Sequence, residues 1–165
     1  MSKYIPRAIF PGSELLERSS SYIAYLPDEY RFVRLFLLSY THSNDTYNAY
    51  RRDVERFVQW VWFVKQAQLS DLTRHDMLEY IKFFQTPPKS WIATQNYPRF
   101  VDSTTGNIAN KDWRPFVLAV GRERKVGPAT MKSMLGCLST MYTFLMYEGL
   151  VQQNPIQMIK QKNQL

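Results

Sequence analysis

One apolar stripe constrains the fold of this 165-residue chain more than any other feature of its sequence. From residue 46 to about residue 68, large apolar side chains recur at spacings of three and four: Tyr47, Tyr50, Val54, Phe57, Val61 and Val64. This period places them along one side of an α-helix. Polar side chains fall mostly on the other side: Asn48, Arg52, Glu55, Arg56 and Gln59. The stripe predicts a long helix, starting at Thr46 or Tyr47, that packs against a core.

Similar patterns predict three further main helices. Their starts are placed at Pro27, Thr73 and Gly127-Pro128, and their ends near His42, Phe84 and Gly149. Asp76 follows Thr73 at the spacing of an acidic capping box, and Gly149 suits a left-handed cap. A short helix opens at Asn154-Pro155, and another is expected from Ser13 to about Tyr25. We therefore expect an all-α fold with a four-helix core.

Residues 85–127 interrupt this regular pattern. The segment has no sustained period, and it contains four prolines together with Trp91, Tyr97, Phe100, Trp113 and Phe116. So many rings are unusual in a disordered linker. We expect a long, partly ordered insertion before the last long helix, with a hairpin near Thr105-Gly106-Asn107. Deleting residues 89–124 is expected to leave the helical core folded. The domain outline is then an arm and short helix over residues 1–26 and one domain over residues 27–165.

Composition excludes several classes of protein. Cys137 is the single cysteine, so a disulfide within the chain is impossible, and a reducing, cytoplasmic location is expected. The longest run without a charged residue, 133–147, is too short to cross a membrane. The N-terminus lacks the pattern of a signal peptide. We expect no membrane partner.

Basic charge is concentrated in the second half of the chain. The formal net charge is +7, and residues 85–127 hold seven basic and three acidic side chains. Residues 128–165 contain one carboxylate side chain, Glu148. A surface poor in carboxylates favours a polyanionic partner, since acids that face phosphates weaken binding.

No catalytic constellation is visible in the sequence. Neither common glycine-rich phosphate loop is present, and His42 and His75 have no metal-ligand partner at helical spacing. Cys137 lies in an apolar helix pattern and is interpreted as a small buried hydrophobe. We expect no enzymatic activity from this chain, no metal and no cofactor.

Three features could bind a polyanion. The first is the start of the helix predicted at residue 46, with short polar side chains, free backbone N–H groups and two arginines: Ser43, Asn44, Thr46, Asn48, Arg51 and Arg52. Such a helix start suits a phosphate. The alternative is an ordinary helix cap, with Arg51 and Arg52 both close to Glu55 and Arg56 left in water.

The second feature is the acid-free polar face of the last long helix: Thr130, Lys132, Ser133, Gly136, Ser139, Thr140 and Thr143. Short side chains let a helix lie in the major groove of DNA, and they equally let it pack tightly on another helix. The third feature is the insertion, where basic residues are mixed with rings: Lys89, Arg99, Lys111, Arg114, Arg122, Arg124 and Lys125. This composition suits nucleic acid, and also a loop whose rings seal a core.

Two segments together resemble the core-binding domain of tyrosine recombinases of the phage-integrase type. Residues 46–60, TYNAYRRDVERFVQW, resemble the opening helix of that domain. Residues 129–145, ATMKSMLGCLSTMYTFL, followed by Glu148-Gly149-Leu150-Val151 and Asn154-Pro155, resemble its last helix and the turn before the catalytic domain. Residues 69–84 occupy the place of the family's next helix. The long insertion at 85–127 departs from the family's short connection.

The resemblance implies a four-helix, SAM-like domain that grips one face of double-stranded DNA, beside other recombinase protomers. In the family, a second domain cuts and rejoins the strands through a phosphotyrosine, but no His-x-x-Arg occurs here at either histidine. The chain thus resembles a piece cut at the domain boundary, or a stand-alone relative. The expected DNA contacts are Asn44, Thr46, Asn48, Arg51, Arg52, Lys125, Thr130, Lys132, Ser133, Ser139 and Thr140. The alternative function is an all-α protein-interaction domain that docks a partner helix on the last helix.

Overall fold

The computed structural model describes residues 4–16 and 26–161. The helices are α1 (Ser13–Leu16), α2 (Tyr30–Leu38), α3 (Asn44–Gln59), α4 (Arg74–Gln85), α5 (Pro128–Tyr147) and α6 (Pro155–Gln161). The strands are β1 (Ile92–Ala93), β2 (Phe100–Ser103), β3 (Gly106–Ala109) and β4 (Phe116–Val117). Helix α5 packs against α2, α3 and α6, so the longest helix lies at the centre of the helical assembly. Most of the helix expected over residues 13–25 lies outside the described residues.

Helix α3 follows the predicted stripe and ends in a wider turn. The side chain of Ser43 caps its start by accepting a hydrogen bond from the Thr46 N–H, and Tyr47, Val54 and Phe57 are fully buried. The α-helix ends at Gln59 and continues as a π-helical turn, Trp60–Val64. This wider turn buries Trp60, Val61 and Trp62 together, which a single helical stripe could not do.

The terminal signals of α4 and α5 are confirmed. The Thr73 side chain accepts from the Asp76 N–H while the Asp76 carboxylate accepts from the Thr73 N–H, which completes the capping box. Pro128 occupies the first turn of α5, and Gly149 follows the helix with a φ of 80°. Local chemistry therefore determines where these helices begin and end.

The prediction of an all-α fold is wrong, because the protein is mixed: 52% of it is helical and 8% is strand. Strands β2 and β3 form the hairpin predicted near Thr105, with Val101 opposite Ile108. Strands β1 and β4 pair in parallel, Ile92 opposite Phe116. Each strand of this second pair is only two residues long. Strands this short cannot show the alternation of apolar and polar residues by which a strand is predicted. Parallel pairing also depends on residues that are far apart in the chain.

The 85–127 segment belongs to the core, so its expected independence from the helices is also wrong. Trp91 and Phe116 are almost completely buried and join the same apolar cluster as α3, α4 and α5. The ring of Trp91 meets that of Phe83 at 4.8 Å, and the ring of Phe116 meets that of Phe84 at 6.0 Å. The β2–β3 hairpin is exposed along most of its length, and so are residues 119–123.

The N-terminal arm is anchored to α3 by a buried carboxylate. Glu55 is 1% exposed and accepts hydrogen bonds from the backbone N–H groups of Ile9 and Phe10 at 2.8 and 2.9 Å. It also forms ion pairs with Arg51 and with Arg99 of the insertion. Glu55 therefore joins the arm, α3 and the insertion in one contact.

In the part of the chain that the structure describes, none of the helices is both long and apolar enough to span a membrane.

Candidate nucleic-acid interface

The start of α3 combines an ordinary helix cap with exposed polar side chains. Asn44 accepts a hydrogen bond from the Ser13 hydroxyl, so its amide is used by the arm. Thr46 is half-buried, and Asn48 is exposed one turn later. Asn44 and Asn48 are therefore exposed, and Asn44 already has a contact with the arm.

The two neighbouring arginines of α3 have different surroundings. The Arg51 side chain is 12% exposed and lies 3.3 Å from the Glu55 carboxylate, and burial lowers its pKa. The Arg52 side chain is 54% exposed, and its Nε lies 4.0 Å from Asp53. Arg51 thus lies close to Glu55, as the alternative of an ordinary cap expects, but Arg52 does not, and Arg56 is half-buried instead of left in water. Arg52 is presented to solvent.

The polar face of α5 divides into an open part and a packed part. Thr130, Lys132, Ser133 and Thr140 are exposed. Ser139 is half-buried, because its Oγ and its backbone oxygen accept hydrogen bonds from Asn154 at 3.1 and 3.0 Å. Ser139 therefore joins α5 to the start of α6 and is not open to a ligand.

A cleft joins the open part of α5 to α3. Its volume is about 370 Å³, and it is lined by Arg52, Asp53, Arg56, Phe84, Arg124, Ala129, Thr130 and Ser133. Four parts of the chain contribute to it: the middle of α3, the end of α4, the segment that precedes α5 and the first turns of α5. Arg52, Thr130 and Ser133 were predicted as contacts on separate grounds, and the fold brings them together.

The two helices that border the cleft run antiparallel. The Cys137 thiol lies 3.9 Å from the Tyr50 carbonyl oxygen. Farther along α3, Arg52 and Arg56 share the cleft with earlier residues of α5. Asn48 precedes Arg52 by one turn, and Thr140 follows Ser133 by two turns, so both side chains extend the same surface. We call this surface the two-helix face, defined by Asn48, Arg52, Thr130, Lys132, Ser133 and Thr140.

Two further arginines are held in the cleft by ring stacking. The ring of Phe116 has the guanidinium of Arg56 at 4.2 Å and that of Arg124 at 4.7 Å. Arg56 Nε donates to the Pro115 carbonyl oxygen, and Arg124 Nε donates to the Phe84 carbonyl oxygen, each at 3.0 Å. These contacts fix the planes of both guanidinium groups before any ligand binds.

The cleft carries more positive than negative charge. Among the described residues, neither Arg56 nor Arg124 forms an ion pair. Burial lowers the pKa of Arg56 to about 10, so it is still a cation at neutral pH. Asp53 is the one carboxylate in the lining, and burial raises its pKa against the opposing effect of Arg52 and Arg56. Three guanidinium groups therefore face one carboxylate.

Sequence reasoning missed the role of Arg56 and assigned Arg124 only to a basic loop. Arg56 follows Arg52 by four residues, and this spacing is the signal that places both on one side of α3. No local signal locates Arg124, because its position depends on the packing of Phe84 against Phe116. Lys125 is exposed immediately after Arg124, outside the residues that line the cleft.

The described residues contain no group of three or more His, Cys, Asp or Glu side chains that could hold a metal ion. The Cys137 thiol is buried and burial raises its pKa, so the thiol stays protonated. This agrees with its interpretation as a buried hydrophobe. His75 pairs with Glu79 on the surface of α4.

The fold and the site together define a class of protein. It is a basic mixed domain rich in helices, with a cleft lined by arginines beside a helix that has no carboxylate side chain. Comparisons of the chain with protein-family models, with curated proteins and with solved structures find no match. The resemblance to tyrosine recombinases therefore depends on the two sequence segments alone.

Proposed function

We propose that this chain binds double-stranded DNA through the two-helix face, as the DNA-gripping module of a protein of the tyrosine-recombinase type. The observation that carries the proposal is the cleft, where the open arginine of α3 meets the acid-free first turns of α5. Helix α5 contains no carboxylate side chain over its twenty residues. A duplex along this face would meet cations and short polar side chains.

The geometry favours phosphate contacts from α3 and base or backbone contacts from α5. Arg52 lies on the rim, where a guanidinium can meet a phosphate of one strand. Short side chains at Thr130, Ser133 and Thr140 allow close approach of the helix to a groove. In the proposed setting, further protomers occupy neighbouring DNA sites, and strand cleavage belongs to a separate catalytic domain.

The test is a duplex titration over a series of salt concentrations with Arg52→Ala and the wild-type protein. Loss of one phosphate contact should weaken binding to all duplexes about equally and reduce the slope of log K against log salt by roughly one. Lys82→Ala is the matched control, since Lys82 is an exposed cation of α4 that does not line the cleft. It should leave the slope unchanged.

A wild-type protein with no measurable affinity for duplex DNA at low salt would refute the proposal. Equal effects of Arg52→Ala and Lys82→Ala would show that binding depends on overall charge and not on the two-helix face.

A further inference from the structure

The arginines of the cleft carry more positive charge than the protein neutralises, since Asp53 is the one carboxylate that lines the cleft beside three guanidinium groups. Arg56 is half-buried yet pairs with no carboxylate among the described residues, and the same holds for Arg124. Buried or half-buried cations are normally paired. The buried Glu55, by comparison, is shared by Arg51 and Arg99. Because Arg56 and Arg124 lie on one ring beside an open cleft, an anion from outside the chain can enter and pair with them.

The first turn of α5 adds neutral donors to the same cleft. Gly127 caps α5 with no side-chain hydrogen bond, and Pro128 has no N–H to donate. The backbone N–H groups of Ala129 and Thr130 have no acceptor within the helix, and both residues line the cleft. An anion there meets N–H groups, the positive end of the helix dipole and the Ser133 hydroxyl.

A buried hydroxyl on the same side also lacks a partner. Tyr80 is fully buried, and its hydroxyl has no hydrogen-bond partner among the described residues. The charges of Arg56, Asp53 and Arg124 act on its pKa, so the hydroxyl lies near these residues, but Tyr80 does not itself line the cleft.

We propose that the cleft seats a single phosphate group of a nucleic-acid backbone, held by Arg52 and Arg124 and by the first-turn N–H groups of α5. Arg56 supplies charge from the inner wall, where its stacking on Phe116 keeps it in place. This inference rests on the proposed function. It adds one contact that fixes the position of the nucleic acid on the two-helix face. The cleft volume of about 370 Å³ leaves room for a phosphate and for the sugar that carries it.

Inorganic phosphate is the probe that isolates this site from the rest of a duplex. It is titrated against chloride at constant ionic strength while the backbone amide signals of Ala129 and Thr130 are followed by NMR. The wild-type protein should give saturable shifts of both amides. Ser133→Asp places a carboxylate at the exposed mouth of the cleft, and Arg124→Met removes a guanidinium while keeping apolar contact with the rings. Each should raise the dissociation constant at least tenfold.

Lys82→Ala is the matched control, because Lys82 is an exposed cation of α4 that belongs neither to the cleft nor to the two-helix face. It should change the phosphate dissociation constant less than threefold. Ser133→Asp keeps the test valid if Arg124→Met fails to fold, since Ser133 has an exposed side chain. Non-saturable shifts, or equal responses in all the variants, would overturn the inference.

A duplex titration separates this inference from the proposed function. Weaker binding of duplex DNA by Ser133→Asp and Arg124→Met supports both. Saturable phosphate binding without any duplex binding retains the phosphate seat but refutes its nucleic-acid source and the proposed function. Wild-type duplex affinity in both variants overturns the inference and leaves the proposed function standing.

Discussion

At the residue scale, Glu55 shows how one buried charge is made stable. Burial alone raises the pKa of this carboxyl, but Arg99, Arg51 and the N–H groups of Phe10 and Ile9 outweigh it and hold the pKa below its ordinary value. A carboxylate with four such partners is more stable ionised than protonated. The negative charge of Glu55 therefore stabilises the folded state.

Glu55→Gln should lower the free energy of unfolding at pH 7 by about 3 kcal/mol, because it leaves two guanidinium groups without a counterion. A lowered folded-state pKa adds stability above the unfolded-state value, and this stability is lost as pH falls through the folded-state value. The difference in the free energy of unfolding between the wild type and Glu55→Gln should therefore become smaller below about pH 4. Urea denaturation between pH 3 and pH 7 measures it.

The control for this prediction is Glu79→Gln, which removes a more exposed carboxylate paired with Lys65 at 2.8 Å. Surface pairs of this kind contribute at most about 1 kcal/mol. A difference between wild type and Glu55→Gln that stays constant with pH would contradict the assignment of a low folded-state pKa to Glu55.

At the element scale, α5 serves two purposes on adjacent parts of its surface. Ser139 is bonded to Asn154, whose Oδ1 in turn accepts from the Ile156 N–H at the start of α6. Thr140 is exposed, and its hydroxyl donates back to the Gly136 carbonyl oxygen of the same helix. Two adjacent residues that look equivalent in sequence thus have different roles.

Glutamate substitutions at these two positions should affect different properties, the stability at Ser139 and the DNA affinity at Thr140. Ser139→Glu breaks the junction with α6 and should cost about 2 kcal/mol, or roughly 4–8 °C in Tm for a chain of this size. Thr140→Glu should leave the Tm nearly unchanged, since exposed substitutions usually stay within about 0.5 kcal/mol. Thr140→Glu should instead weaken duplex binding, because a carboxylate would face phosphates. Thermal melts and duplex titrations of both variants make the comparison.

A lower Tm for Thr140→Glu with unchanged duplex affinity would assign the open part of α5 to packing. It would remove Thr140 from the two-helix face. An unchanged Tm for Ser139→Glu would show that the bond from Asn154 contributes little to joining α6.

At the scale of the whole molecule, the arm, the helices and the 85–127 segment share one core. Phe10 of the arm stacks on Tyr30 of α2 at 5.3 Å, and Trp91 of the insertion lies 6.0 Å from Tyr4. Arg99 reaches across to the Phe10 carbonyl oxygen at 2.6 Å. The arm and the insertion therefore contribute large rings to the same core as the helices.

Deleting residues 89–124 should abolish cooperative unfolding. Losing a buried Trp or Phe costs about 3–5 kcal/mol each, against a total stability of about 5–15 kcal/mol for a domain. The deletion removes Trp91 and Phe116 together with Arg99, a counterion of Glu55. Denaturant unfolding followed by circular dichroism tests this.

The matched control shortens only the exposed hairpin. Replacing residues 102–107 with Asn-Gly joins Val101 to Ile108, which already face each other, by a favoured two-residue turn. This variant should stay within about 0.5 kcal/mol of the wild type. A stable, cooperatively folded 89–124 deletion would contradict the placement of the insertion in the core.

The candidate site could be predicted only in part. The sequence pattern indicated Arg52, Thr130 and Ser133, because helix position and short side chains can be read locally. It indicated Arg51 equally, although the structure pairs Arg51 with a buried carboxylate. Whether an arginine of a polar helix face is free or paired depends on its tertiary neighbours. Here Arg51 pairs with Glu55, a carboxylate that Ile9, Phe10 and Arg99 hold in the core.

The sequence by itself determined the main helices and the ends of α4 and α5, because spacing, capping side chains, Pro128 and Gly149 act within a few residues of where they stand. The ends expected near His42 and residue 68 were wrong, since α2 ends at Leu38 and α3 ends at Gln59 with a π-helical turn to Val64. Only the tertiary structure decided which polar residues of α3 reach solvent. Glu55 and Gln59 lie on the polar side of the pattern, yet both are buried beneath the arm. The pairing of β1 with β4 and the meeting of Arg56 with Arg124 are likewise tertiary. Each brings together segments that are far apart in the chain, and no local sequence pattern predicts such a contact.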